Sequence, residues 1–90
     1  MQVQVFGKQN CAKCETTKHK VAHFITKLGL GGKVEMQFFD METVECLTEG
    51  AFRDVFDVPT TIIQNEGQDL ARWEGTIPPT ADIKKHLGTA

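Results

Sequence analysis

Nowhere in its 90 residues does this chain carry an apolar run approaching the roughly 20 residues that a membrane helix needs. Its first residues, Met1-Gln-Val-Gln-Val-Phe6, supply neither a basic leader nor an apolar signal core, so a soluble cytoplasmic protein is expected. Cysteine is scarce. Three of them, an odd number, exclude a fully paired secreted disulfide framework and fit a reducing compartment better. An excess of charge of one sign is missing too: 10 Lys and Arg against 12 Asp and Glu leave a net charge of −2, with no general attraction to phosphate or anionic lipid. Neither nucleic acid nor a membrane is therefore an expected partner. Linkers, internal repeats and low-complexity stretches are absent, which leaves one domain over residues 1–90. What is present is a globular balance, 40% hydrophobic and 24% charged.

Residues 2–6 alternate polar and apolar around β-branched valines, the period-2 signature of a half-buried strand. From Ala12 to Leu28 the apolar positions Cys14, Val21, Phe24, Ile25 and Leu28 recur at helical spacing, and Gly29, Gly31 and Gly32 supply stop signals. Alternation returns from Val34 to Asp40, predicting a second strand with Phe38 and Phe39 on opposite faces. Thr43 can cap a second helix carrying Val44, Leu47, Ala51 and Val55 as its apolar face, with Gly50 weakening its middle by roughly 1 kcal/mol relative to alanine. Within it, Cys46 reads as a small buried hydrophobe. Thr60–Gln64 and Asp69–Trp73, joined by Asn65-Glu-Gly67, read as a hairpin in which Trp73 packs on the sheet. After Pro78-Pro79 a last helix covers Thr80–Leu87. The order is β-α-β-α-β-β-α. A right-handed crossover makes the first two strands parallel and the hairpin adds an antiparallel pair, so an α/β fold with a four-stranded mixed sheet and helices on both faces is predicted.

Between the first strand and the first helix lies "GKQNCAKCETTKHK". Cys11 opens the helix, where unpaired backbone N–H groups and the positive end of the dipole favour thiolate over thiol, and Lys8 and Lys13 on either side act in the same direction. Cys14 follows one helical turn later, at the roughly 5–6 Å spacing a disulfide can bridge. The Cys-x-x-Cys pair taken alone is compatible with a redox couple and with half of a metal site. Cys11, Cys14 and His19 also fit the start of a zinc knuckle, with His23 or Cys46 as fourth ligand. At about 100° per residue, though, His19 and His23 point roughly 180° and 140° from the centre of the helix's apolar stripe, while Cys14 lies within roughly 40° of it.

The Cys-x-x-Cys in its strand-to-helix setting, Val58-Pro59-Thr60 opening the third strand, and "EGQDLARWEGTIPPTADIKKHL" at the end together resemble the thioredoxin/glutaredoxin superfamily over nearly the whole chain. The resemblance is to the minimal form of the fold, without an extra N-terminal strand and helix. Lys8 looks glutaredoxin-like, whereas Pro59-Thr60 and Glu74-Gly75 look thioredoxin-like. Asn10-Cys11-Ala12-Lys13-Cys14 stands where thioredoxins carry Trp-Cys-Gly-Pro-Cys, Val5 falls at the position of their buried carboxylate, and Lys13 replaces the aromatic residue of glutaredoxins. The resemblance implies a thiol–disulfide oxidoreductase with Cys11 as nucleophile and Cys14 as resolving thiol, and a cis Pro59 lying against the active-site disulfide. With it go a substrate-binding segment at Val58, Pro59 and Thr60, and protein disulfides as substrates. It also implies a flavoprotein reductase or glutathione as electron donor, a monomer, and no cofactor or metal. Against it stand a cysteine-based metal-binding protein and a non-catalytic interaction module.

Overall fold

In the computed structural model, which describes residues 1–88, the chain runs β1 (Gln2–Gly7), α1 (Ala12–Lys27), β2 (Glu35–Asp40), α2 (Val44–Phe52), β3 (Thr60–Asn65), β4 (Gln68–Glu74) and α3 (Thr80–Leu87). The four strands form one mixed sheet in the order β2-β1-β3-β4. β1 pairs parallel with β2, Val5 opposite Phe38, and antiparallel with β3, Val5 opposite Thr61; β3 and β4 form the antiparallel hairpin. Glu66 and Gly67 both take positive φ, 53° and 79°, the geometry of a two-residue turn whose twist suits the flanking strands.

The central place of β1 corrects the expectation of a half-buried strand. It is covered on both faces, and Gln4, which alternation would put in water, is only 6% exposed. The amide survives burial because Arg53 Nη2 donates to its Oε1 at 2.6 Å. One face of the sheet packs Val3, Val5 and Ile63 beneath α1 (Val21, Phe24, Ile25) and α3 (Ile83, Leu87). The other buries Phe6 and Ile62 with Met41 and Val55, and Phe6 stacks on Phe39 at 4.7 Å between ring centroids. Phe38 packs with the first cluster and Phe39 with the second, on opposite faces of β2. Trp73 is half-buried on the α1/α3 side, with its ring edge-on to His86.

Several boundaries and faces differ from the sequence reading. α1 ends at Lys27; Leu28 is its cap and 41% exposed, because Gly29 turns the chain at φ 67° and delivers Leu30 to the core instead. Val34 is buried just before β2 begins. α2 stops at Phe52, so Val55 reaches the core from the loop beyond it. The larger correction concerns the face of α2. Val44 and Leu47 are exposed, as is Ala51, and the residue that this helix buries is Gly50. A Cβ there would lie 3.0 Å from Met41 Sδ, so the glycine is where the helix packs on the Met41 side chain, not an interruption of an apolar stripe. Cys46, expected to be buried, is a half-buried free thiol.

Candidate active site

At the end of β1 the chain must turn within a few residues from a buried strand into a helix that crosses back over the sheet. Asn10 makes the turn at φ 57°, a left-handed conformation that asparagine tolerates better than most residues. Cys11 follows in extended geometry as the N-cap of α1, and its Sγ accepts the backbone N–H of Cys14 at 3.2 Å, the role an N-capping serine oxygen ordinarily plays. The carbonyl of Cys11 accepts from Glu15 N at 3.1 Å and starts the helix. Cys11 and Cys14 are joined as a disulfide with a Cα–Cα separation of 5.2 Å. The two sulfurs differ in surroundings. Cys11 is partly exposed at the rim, whereas Cys14 is fully buried against the sheet.

Gly7 is the reason Cys14 can sit so low. A Cβ on this residue would lie 2.9 Å from both Cβ and Sγ of Cys14 and 2.9 Å from Phe38 Cε2, so only glycine lets helix and strand approach this closely. The segment before Cys11 is anchored from the neighbouring loop. Gln9 N donates to Glu42 Oε1 at 3.1 Å, its amide nitrogen to Asp40 Oδ2 at 3.2 Å, and Met41 N to Gly7 O at 2.7 Å. The sequence reading missed Gly7, Gln9, Asp40 and Glu42. A glycine closing the strand before Cys-x-x-Cys was a legible signal for the first; the others depend on a loop 31 to 33 residues away in sequence.

Of the other site residues expected from sequence, Pro59 is buried and its peptide bond with Val58 is cis. The antiparallel register that sets Thr60 opposite Phe6 brings Pro59, one residue earlier, alongside Gly7 and hence toward Cys14. Pro59 O accepts Gly75 N at 2.9 Å, and Thr60 Oγ1 donates to Asp57 O at 2.6 Å, which pins the turn into β3. Val58 is partly exposed, and its backbone N–H and C=O bond no group among the described residues. Lys8 and Lys13 are exposed, and among the described residues their ammonium groups make no hydrogen bond or ion pair. His19 and His23 lie on the exposed side of α1 away from Cys14, His19 within 3.6 Å of Glu15 Oε2, and Cys46 lies on α2 across the sheet. The zinc-knuckle ligands are therefore not brought together. Among the described residues no group of three or more His, Cys, Asp or Glu could hold a metal ion, and no helix is long and apolar enough to cross a membrane.

A chain with a strand-to-helix Cys-x-x-Cys disulfide and a cis proline ahead of β3, on this topology, is matched by a family profile described as thioredoxin domain over residues 1–88. The chain belongs to the thioredoxin domain family. Thioredoxin 1 from Thermosipho africanus is similar at TM-score 0.77 and 20% identity, over 99% of this chain and 97% of that one. Thioredoxin O2 from Arabidopsis thaliana, in an oxidized state, is similar at TM-score 0.78 and 17% identity, over 98% and 72%. Fasciola hepatica thioredoxin is similar at TM-score 0.74 and 20% identity, over 98% and 78%. At these identities the structural likeness establishes the thioredoxin fold. No curated protein matches the chain. Thioredoxin-family membership together with the Cys11–Cys14 pair supports thiol–disulfide oxidoreductase chemistry at the level of the family.

Proposed function

We propose that the protein reduces protein disulfides by dithiol exchange, with Cys11 as nucleophile and Cys14 as resolving thiol. The observation that carries the reading is the unequal exposure of two bonded cysteines: an outside disulfide can reach the sulfur of Cys11, whereas Cys14 can react only with Cys11. In the reduced protein the Cys11 thiolate attacks one sulfur of a substrate disulfide and expels the other as a thiolate. A mixed disulfide results. Cys14 then gives up its proton and attacks Cys11 Sγ, releasing the second substrate sulfur as a thiol. Two electrons pass to the substrate, and the Cys11–Cys14 disulfide remains. The Cys14 N–H aimed at Cys11 Sγ, together with the helix N-terminus, favours the thiolate both as attacking and as leaving group.

Lys8 and Lys13 add positive charge on either side of Cys11 and act as exposed, salt-sensitive tuners. The free N–H and C=O of Val58 offer an extended substrate segment a short strand pairing, which gives affinity with little sequence preference. Pro59, having no N–H, cannot compete with the substrate for hydrogen bonds, and Thr60 holds the turn. The oxidised protein requires an electron donor, a flavoprotein reductase or glutathione, and a reducing compartment such as the cytoplasm would sustain the cycle. It works as a monomer.

The test is mass spectrometry across a graded thiol–disulfide buffer, where a reversible loss of two hydrogens confined to Cys11 and Cys14 is expected. Cys14→Ser should accumulate mixed disulfides through Cys11, and Cys11→Ser should abolish disulfide reduction. Stoichiometric zinc with no such couple would overturn the proposal.

A further inference from the structure

α2 is mounted with its apolar stripe facing outward. At about 100° per residue Val44, Leu47, Ala51 and Phe52 fall within an arc of about 140°, whose centre lies about 120° from Gly50, the residue that packs on Met41. Val44 is 78% exposed and Phe52 81%; Phe56 in the following loop reaches 87%. Isolated exposed apolar residues are ordinary, but two nearly bare phenylalanines four residues apart, at the end of an exposed apolar helical stripe, are surface of the kind that marks an interaction site. Its two ends are joined in the chain to segments of the redox site. Phe56 is three residues from Pro59, within the roughly 10 Å that so short a chain can span, and Val44 follows the Asp40–Glu42 loop that anchors Gln9 ahead of Cys11.

The charge around the patch says what would cover it. The segment 40–57 holds half of the 12 acidic residues of the chain (Asp40, Glu42, Glu45, Glu49, Asp54, Asp57) and one of its 10 lysines and arginines. That one, Arg53, is turned inward to Gln4 and Asp69. A second copy of this chain would bring two acidic rims together, and anionic lipid would be repelled, whereas a basic surface with apolar residues at its centre would complement both features.

The geometry points to the outward face of α2 and Phe56 as the docking surface for a redox partner protein that presents basic and apolar residues beside its disulfide. This rests on the dithiol-exchange reading for the partner's chemistry, not for the docking itself. Docking there sets the partner's disulfide over Cys11 and selects among partners by KM, with chemistry at the sulfur unchanged.

The experiment uses the reduced full chain and three probes: a cyclic disulfide peptide with Lys, Arg and Leu around its cysteines, the same peptide with Glu for each Lys and Arg, and hydroxyethyl disulfide, which is too small to reach α2. The basic peptide should be reduced at least about tenfold more efficiently than the acidic one, with the preference lost between about 0.05 and 0.5 M salt. Phe52→Ser combined with Phe56→Ser, and separately Glu45→Gln combined with Glu49→Gln, should each raise KM for the basic peptide about tenfold and leave the hydroxyethyl disulfide rate unchanged. Equal rates for the two peptides, or unchanged KM in both variants, would overturn the proposal, as would a concentration-dependent dimer that the phenylalanine variant abolishes. If the wild-type chain reduces none of the three probes, dithiol exchange fails; docking is then decided by titrating the basic peptide, its cysteines replaced by serine, into isotope-labelled protein. Amide shifts along α2 and at Phe56 would support the surface, and their absence there would overturn it.

Discussion

Gly7→Ala asks whether the depth of Cys14 really depends on a missing methyl group. The added Cβ would lie 2.9 Å from Cys14 Cβ, Cys14 Sγ and Phe38 Cε2, closer than nonbonded carbon or sulfur tolerates, and two of the three atoms belong to a short side chain held by the first turn of α1. Overpacking of this kind costs about 1–3 kcal/mol. Removing a glycine from a strand gains about 0.5–1 kcal/mol in backbone entropy, so a net loss of up to roughly 2.5 kcal/mol is expected. For a domain of this size that lowers Tm by up to about 20 °C. Urea unfolding followed by Trp73 fluorescence, in oxidised and in thiol-reduced protein, measures it. The control is Gly31→Ala, where an added Cβ meets nothing within 4 Å and the same entropy gain should stabilise the protein by about 0.4–1 kcal/mol. A second check is the double variant with Cys14→Ala: deleting Sγ relieves part of the clash, so the pair should be less destabilised than the sum of the singles by about 0.5 kcal/mol or more. Gly7→Ala as stable as Gly31→Ala, with additive double variants, would refute the close-approach argument.

Ile83→Ala removes a side chain 1% exposed between α3 and the sheet and should cost about 2–5 kcal/mol in chemical denaturation. Arg53→Ala leaves the buried Gln4 Oε1 without its donor and should cost about 1–3 kcal/mol, most of it recovered when Gln4 is replaced by Leu in the same chain. Thr60→Val, which keeps the shape but deletes the hydroxyl bonded to Asp57 O, should lower stability by about 1 kcal/mol and slow reduction of peptide disulfides more than that of small ones. Lys13→Glu should slow alkylation of reduced Cys11 at pH 7 by about two- to fivefold at low salt, and the difference should vanish near 1 M salt, because both groups stand in water.

The element order, the parallel-plus-antiparallel sheet and the Cys-x-x-Cys at a helix start were legible because each rests on local patterning. Alternation marked β1 and β2, helical spacing marked α1, and Asn65-Glu-Gly67 marked the hairpin turn, and each left only a residue or so of its boundary open. The helical phase of α1 likewise placed His19 and His23 away from Cys14 before any contact was known. Local patterning failed where burial is decided by what lies on the far side of an element. Gln4 reads as a surface glutamine and is buried, since the face it shares with Phe6 is also covered and Arg53 arrives from 49 residues away to bond it. The stripe of Val44, Leu47 and Ala51 reads as a core face and is solvent-exposed, because α2 meets Met41 through Gly50 instead.

Sequence alone thus determined which residues form strands and helices, and that two cysteines stand one turn apart at a helix N-terminus; both follow from intrinsic backbone and side-chain periodicity. Only tertiary structure decided that Gly7 lets Cys14 sit against the sheet, that the register brings Pro59 alongside Gly7, and which face of α2 is free. Those are matters of register and close approach between segments far apart in the chain, and no local pattern encodes them.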